Sequence, residues 1–307
     1  NTPSWREMAD KMLEKLSKEG FINLNQQYLF SALPVKAKMS IASARFRKEQ
    51  LSYDDIIPKC RQNNNSYDPY EQLAELAKSA PNDIRNFITT NYDLMLHCAL
   101  ERKELLDTSK EFSQDILLKD SQDTPQKPSD YDKFHTFYSP DEFMKQQPEI
   151  NQKVLLYLHG SMKDESKIKV SIWDYLYLYS SLRSGENSLQ NSLIDILEGQ
   201  SIIFTGYSLD ELVILELLYR NTLNDNGIFH FHLLPYLSYQ REVIEQLAEH
   251  WRKLKIMVFP YNVDRNWYEG INQIIKYIKK LIEQKGTREQ MPRIKQLNLI
   301  DEWIANN

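Results

Sequence analysis

Asn86-Phe87-Ile88-Thr89-Thr90-Asn91-Tyr92-Asp93 is the stretch on which the fold turns. Its short apolar and β-branched run reads as a buried strand. Asn91 and Asp93 stand at the strand's C-terminal end, and helical spacing resumes over 94–105. The pattern recurs along the chain. Val154-Leu155-Leu156-Tyr157-Leu158 ends at His159-Gly160-Ser161, and Gln200-Ser201-Ile202-Ile203-Phe204-Thr205 ends at Gly206-Tyr207-Ser208. Two more apolar runs follow at 229–234 and 255–259, with helical spacing over 172–182, 189–197, 210–219 and 240–251. Short apolar strands alternating with helices predict an α/β fold with a parallel sheet covered on both faces. Ligands bind such sheets beyond the carboxyl ends of the strands. The three polar tips are therefore the candidate ligand loops.

Outward from this frame, Trp5, Met8, Ala9, Met12, Leu13 and Leu16 carry the spacing of a one-faced helix, with Pro3 and Ser4 at its start and Gly20 at its end. Residues 24–80 read as a polar helical segment with turn signals at Pro34, Asn63–Asn65 and Pro69. Residues 106–153 are rich in Asp, Lys, Ser, Gln and Pro and read as a long polar surface insertion, with a short strand around Phe134–Tyr138. The last 40 residues are amphipathic and helical. The domain expectation is one unit over 1–265, followed by C-terminal amphipathic helices over 266–307.

With 307 residues, 41% hydrophobic and 26% charged, the chain can bury a sizeable core, and wholesale disorder is excluded. A net charge of −5 argues against a dominant basic surface for nucleic acid. No apolar run reaches the length of a membrane span, and no signal peptide is visible. Cys60 and Cys98 lie 38 residues apart and outside any C-x-x-C pair, so a thiolate zinc site is not expected. They are expected as two reduced thiols in a cytoplasmic protein.

Each tip has a plain structural reading beside the functional one. Asn91 can orient a hydroxyl or a water, and Asp93 can accept from ribose hydroxyls; both also suit the capping of the next helix. His159 suits a general base, or a core histidine held by backbone. Gly206 admits close backbone approach and Ser208 can bond a phosphate or ribose oxygen; the alternative is a strand-to-helix turn with Ser208 as cap. His97, His135, His230, His232 and His250 have no comparable setting. His230 and His232 share a strand face, but without a third ligand no metal is expected. There is no G-x-G-x-x-G, no Walker A motif and no G-x-S-x-G elbow.

Thr89-Thr90-Asn91-Tyr92-Asp93, then Leu158-His159-Gly160, then Phe204-Thr205-Gly206-Tyr207-Ser208 resembles the sirtuin-like superfamily. There the matching segments are T-Q-N-x-D, H-G and G-T-S. Pro3-Ser4-Trp5-Arg6 is similar to the end of that family's first motif, where a G-A-G-x-S loop leads into a P-[DS]-[FW] segment. The T-T-N-Y-D and G-Y-S-L-D forms look closer to the bacterial antiphage defence-associated sirtuin-like NADases than to protein deacylases. The resemblance spans residues 1–265 and implies a Rossmann-like sheet that binds NAD+. It implies that Asn91, supported by Thr90, positions the nicotinamide ribose or attacking water, and that Asp93 shapes the nicotinamide end. His159 would be the base or ribose-hydroxyl partner. Gly206, Tyr207 and Ser208 would contact the adenosine side, and Ser4, Trp5 and Arg6 would border the nicotinamide pocket. The Gly-rich loop is expected to precede Asn1. The family's four-cysteine zinc module is absent, which lowers the odds of a deacylase.

The resemblance implies NAD+ hydrolysis to nicotinamide and ADP-ribose, depleting NAD+ in antiphage defence. The alternatives are a deacylase or ADP-ribosyltransferase, and a non-catalytic NAD or ADP-ribose sensor. It further implies a homo-oligomer and a partner such as a HerA-like ATPase or an Argonaute. The Tyr-rich 173–182 and the amphipathic segments 271–282 and 291–304 are candidate contact surfaces, or else core.

Overall fold

The computed structural model describes residues 4–57, 69–79, 84, 86–101, 133–146, 152–180, 189–209, 211–223, 228–264 and 269–285. The chain divides into two compact units. One comprises Asn1–Asn65 with Ile84–Arg183, the other Ser66–Asp83 with Ser184–Asn307.

The first unit begins with three helices, α1 (Trp5–Lys18), α2 (Leu24–Ser31) and α3 (Val35–Lys48). Ser4 starts α1 through a reciprocal capping box. Its Oγ accepts from the Glu7 N–H at 3.3 Å, and Glu7 Oε2 accepts from the Ser4 N–H at 2.7 Å. The predicted apolar face of α1, Met8, Ala9, Met12, Leu13 and Leu16, is buried against Met39, Ala42 and Phe46 of α3. Each buried Met, Leu or Phe of this set stabilises the unit by about 1.5–3 kcal/mol. Pro34 opens α3, as its fixed φ allows.

The sheet of this unit has three parallel strands in the order β1-β3-β2: β1 (Asn86–Thr89), β2 (Phe134–Phe137) and β3 (Lys153–Tyr157). Helix α5 covers residues 95–101, and α6 is Pro140–Gln146. The strand expected around Phe134 is present; the residues of the polar insertion over 106–132 lie outside the described residues. Val154–Tyr157 of β3 are buried, as a central strand requires. The expectation that β1 is buried needs correction. Asn86 and Ile88 are exposed, and among the described residues β1 pairs on one side only, with β3, at the end of this sheet.

The apolar cluster of α1–α3 also contains Tyr92, Met162, Ile168 and Val170, which lie just past the tips of β1 and β3. The helices therefore pack on the loops at the carboxyl edge of the sheet. Glu165, on a short 3-10 turn, reinforces this junction: it accepts from Ser52 Oγ at 3.0 Å and from the Tyr53 N–H at 2.8 Å. Helix α7 (Ile172–Ser180) follows.

The second unit contains α4 (Pro69–Ser79), α8 (Leu189–Gly199), α9 (Leu212–Leu223), α10 (Arg241–Arg252) and α11 (Glu269–Lys285). Its sheet is also parallel, in the order β4-β5-β6: β4 (Ile203–Thr205), β5 (His230–Tyr236) and β6 (Ile256–Asn262). Parallel strands flanked by helices make the fold α/β and Rossmann-like, though the described strands form two three-stranded sheets. Ile271, Ile274 and Ile275 of α11 are buried, so this face is core of its unit, packed with α4 and β6. The amphipathic segment 291–304 lies outside the described residues.

Cys98 is disulfide-bonded, which corrects the expectation of two reduced thiols. The chain's other cysteine, Cys60, lies outside the described residues. Among the described residues no helix is long and apolar enough to cross a membrane.

Candidate functional site

Parallel pairing brings the tips of β1 and β3 side by side. Thr89 is registered with Tyr157, and the Leu158 N–H donates to the Thr89 carbonyl at 2.9 Å. Thr90-Asn91 and His159-Gly160 therefore emerge together at the carboxyl edge. The turn after β1 is stabilised locally. The Asn91 N–H donates to Thr89 Oγ1 at 3.1 Å, and Asp93 Oδ1 accepts from the Met95 N–H at 2.9 Å. Asp93 thus caps the start of α5 while 2% exposed. The capping reading holds for Asp93, and Asn91 remains half-buried at the turn.

Gly160 shapes the second tip. Its φ is +81°, and a Cβ there would lie 2.3 Å from the Lys167 carbonyl oxygen. Only glycine lets the chain double back so closely. The Lys169 N–H then donates to the His159 carbonyl at 2.8 Å, and Tyr92 Oη donates to the Lys169 carbonyl at 2.9 Å. The two tips are thereby tied together through the 161–170 loop.

His159 is 1% exposed. Its Nδ1 lies 3.1 Å from Tyr175 Oη, and its Nε2 lies 3.2 Å from Tyr179 Oη; both tyrosines are on α7. The Tyr175 ring meets the imidazole edge-on at 4.7 Å, and Trp5 of α1 meets Tyr175 edge-on at 5.4 Å. Burial pushes the imidazole pKa down to about 3, against a backbone hydrogen bond with Thr90 that favours protonation. The sequence leaves open a general base or a core histidine held by backbone; the structure holds a buried, neutral imidazole with one donor and one acceptor nitrogen and a backbone hydrogen bond to Thr90.

Of the remaining expected residues, Trp5 joins this cluster through Tyr175. Ser4 is occupied as the α1 cap, and Arg6 is exposed on α1. Gly206, Tyr207 and Ser208 belong to the other unit. There Gly206 has φ +62°, with open space where a Cβ would stand, and Ser208 is exposed. Leu209 also has a positive φ, +54°, and is buried. Gly206 takes this conformation at no steric cost, so the strain of roughly 1–2 kcal/mol sits at Leu209, whose burial offsets it. The Tyr207 carbonyl accepts from His232 Nε2 at 2.9 Å. His230, on the same face, is within 3.1 Å of the Asn221 amide. Burial lowers the pKa of both histidines, that of His230 to about 4.

Sequence reasoning missed three features. Tyr175 and Tyr179 are spaced i, i+4, so they share a helix face, but nothing in the sequence aims that face at His159. Asp174 anchors α7 to Arg47 of α3, 127 residues away. His97 does have a distinctive setting. It lies 3.3 Å from Thr136 Oγ1, 3.3 Å from Tyr138 Oη and 3.1 Å from Glu101 Oε1, and burial lowers its pKa against the pull of Glu101.

An amide, a buried neutral imidazole and a capping carboxylate therefore lie at adjacent strand tips, groups that can donate to and accept from hydroxyls. Residues 85–258, more than half of the chain, match the family model for the SIR2-like domain. That span includes all three polar strand tips, the first sheet and the second sheet as far as the start of β6. No curated protein matches the chain.

Proposed function

The chain belongs to the SIR2-like domain family, and on that premise we propose that it hydrolyses NAD+ to nicotinamide and ADP-ribose. The observation that carries the reading is the buried, neutral His159 beside the Thr90-Asn91 tip of the adjacent parallel strand.

The reaction breaks the bond from ribose C1′ to the nicotinamide nitrogen. The cationic ring leaves neutral, so no general acid is required. Water supplies the oxygen that bonds to C1′, and one proton is released to solvent. In this reading Asn91 orients the water or a ribose hydroxyl through its amide. His159 accepts a hydrogen bond from a substrate hydroxyl or that water, and its neutral ring puts no positive charge beside the oxocarbenium-like ribose. Asp93 borders the nicotinamide end. Gly206, Tyr207 and Ser208 would contact the adenosine side, with the exposed backbone of Gly206 admitting close approach. In cells, the proposed consequence is NAD+ depletion during phage infection, carried out by a cytoplasmic homo-oligomer working with a HerA-like ATPase or Argonaute-type partner.

The test is chromatography of NAD+ incubated with the protein and, in parallel, with His159→Ala. Nicotinamide and ADP-ribose from the wild type alone support the reading. Equal product from both overturns the role of His159. Label appearing on protein, or turnover only with an acylated peptide, replaces hydrolysis with transfer.

A further inference from the structure

Both ring nitrogens of His159 face hydroxyls from one helix, and the ring is almost fully buried. A substrate hydroxyl can reach a ring nitrogen only by displacing Tyr175 or Tyr179. The two are held differently. Tyr175 sits in the first turns of α7, packed edge-on against both Trp5 and the imidazole. The same end of the helix is tied to α3: the Ile172 N–H donates to Ser40 Oγ at 2.9 Å, and Asp174 pairs with Arg47. Tyr179 stands one turn further on, next to the last residue of the helix.

We propose that the Tyr179 hydroxyl is a stand-in for substrate at His159 Nε2, exchanged for a ribose hydroxyl or the attacking water, while Tyr175 is a positioning residue that holds Nδ1. This rests on the reading of His159 as the substrate-facing residue. A neutral imidazole has one donor and one acceptor nitrogen. The ring also hydrogen-bonds the Thr90 backbone; with the one N–H placed on Nδ1, Nε2 is the acceptor. It takes a hydrogen bond from the Tyr179 O–H in the free protein and from a substrate O–H in the complex. Only hydrogen bonds are exchanged. The burial that keeps the ring neutral keeps this acceptor available. Tyr175 also fixes the ring plane through its edge-on contact, so the exchange leaves the imidazole where it was.

The experiment pairs Tyr179→Phe and Tyr175→Phe in the full chain, with NAD+ turnover and nitrogen NMR of labelled histidine as readouts. Loss of one competing hydrogen bond should lower KM about 2- to 10-fold in Tyr179→Phe, with kcat about unchanged. Tyr175→Phe should lower kcat about tenfold with KM about unchanged. In the NMR arm, ADP-ribose should shift the Nε2 resonance of His159 and leave Nδ1 in place. Tyr179→Phe alone should shift Nε2 in the same sense. A kcat loss in Tyr179→Phe equal to that in Tyr175→Phe overturns the proposal, as does an ADP-ribose shift confined to Nδ1. If the wild type and His159→Ala release nicotinamide equally, the catalytic reading fails. The NMR arm, which needs no turnover, then decides the tyrosine assignment separately.

Discussion

Asp174 Oδ2 accepts both from Nη2 of Arg47, on α3, and from the Val170 and Ser171 N–H groups at the start of its own helix, at 3.2 and 2.9 Å. One carboxylate thus caps α7 and ties it to the helical segment. Burial pushes the Asp174 pKa up, but hydrogen bonds from Arg47 and Ser171 outweigh it and hold the carboxyl below its ordinary range. Because α7 carries Tyr175 and Tyr179, this junction bears on the position of His159.

The dual role predicts unequal costs. Asp174→Ala removes the cap as well as the ion pair and should destabilise by about 1–2 kcal/mol. Arg47→Ala leaves the cap and removes a half-exposed ion pair, which costs about 0–1 kcal/mol. Urea titrations of both variants measure this. Equal losses would show that the cap contributes nothing.

Two left-handed glycines should respond differently to a methyl group. At Gly160 an added Cβ meets the Lys167 carbonyl at 2.3 Å, so the backbone must move, and Gly160→Ala should cost about 3 kcal/mol or more. At Gly206 there is open space, and Gly206→Ala should cost only the left-handed strain, about 1–2 kcal/mol. Thermal unfolding of the two variants makes the comparison.

For the proposed activity, His159→Ala and Asn91→Ala should each lower nicotinamide release about 10²- to 10⁴-fold. Asn91 is half-buried at a turn, so Asn91→Ala should stay folded; circular dichroism checks this and the fold of His159→Ala, whose site is buried. Retention of wild-type release by both would remove these residues from the chemistry.

Histidine burial sets a pH dependence of stability. His159 has a folded pKa of about 3 and an unfolded pKa of about 6.5, so between these values the unfolded state binds the extra proton. Its contribution is complete above about pH 6.5 and is lost as pH falls toward 3. His230 acts in the same sense, with a folded pKa of about 4. Stability should therefore fall from pH 7 to pH 4, and His159→Gln should flatten that slope by up to about one proton. The pH profile of turnover should show no inflection from His159 between pH 5 and 8. Such an inflection, lost in His159→Gln, would mean that the ring is solvated in the working enzyme.

Much of this was legible along the chain. The apolar runs around Ile88, Leu156, Phe204, Phe231 and Val258 all lie in strands, and those of Leu156 and Val258 are buried from both sides, as a parallel sheet allows. The Met8–Leu16 face is core because its 3.6-residue spacing aligns it along one stripe. The candidate site was legible as polar strand tips, of which the structure brings those of β1 and β3 side by side. What was missed depends on distance in space. The one-sided pairing of β1 among the described residues, the disulfide at Cys98, the grip of Arg47 on Asp174 and the depressed pKa of His159 all depend on neighbours remote in sequence.

The sequence by itself determined the strand–tip–helix units and the residue types at each tip, because strand burial, capping and glycine turns are local preferences. Only the tertiary structure decided that His159 lies buried and neutral between Tyr175 and Tyr179. A histidine's charge and reach are set by desolvation and by hydrogen-bond partners, and those come from chain segments that meet only when the sheet and its helices have packed.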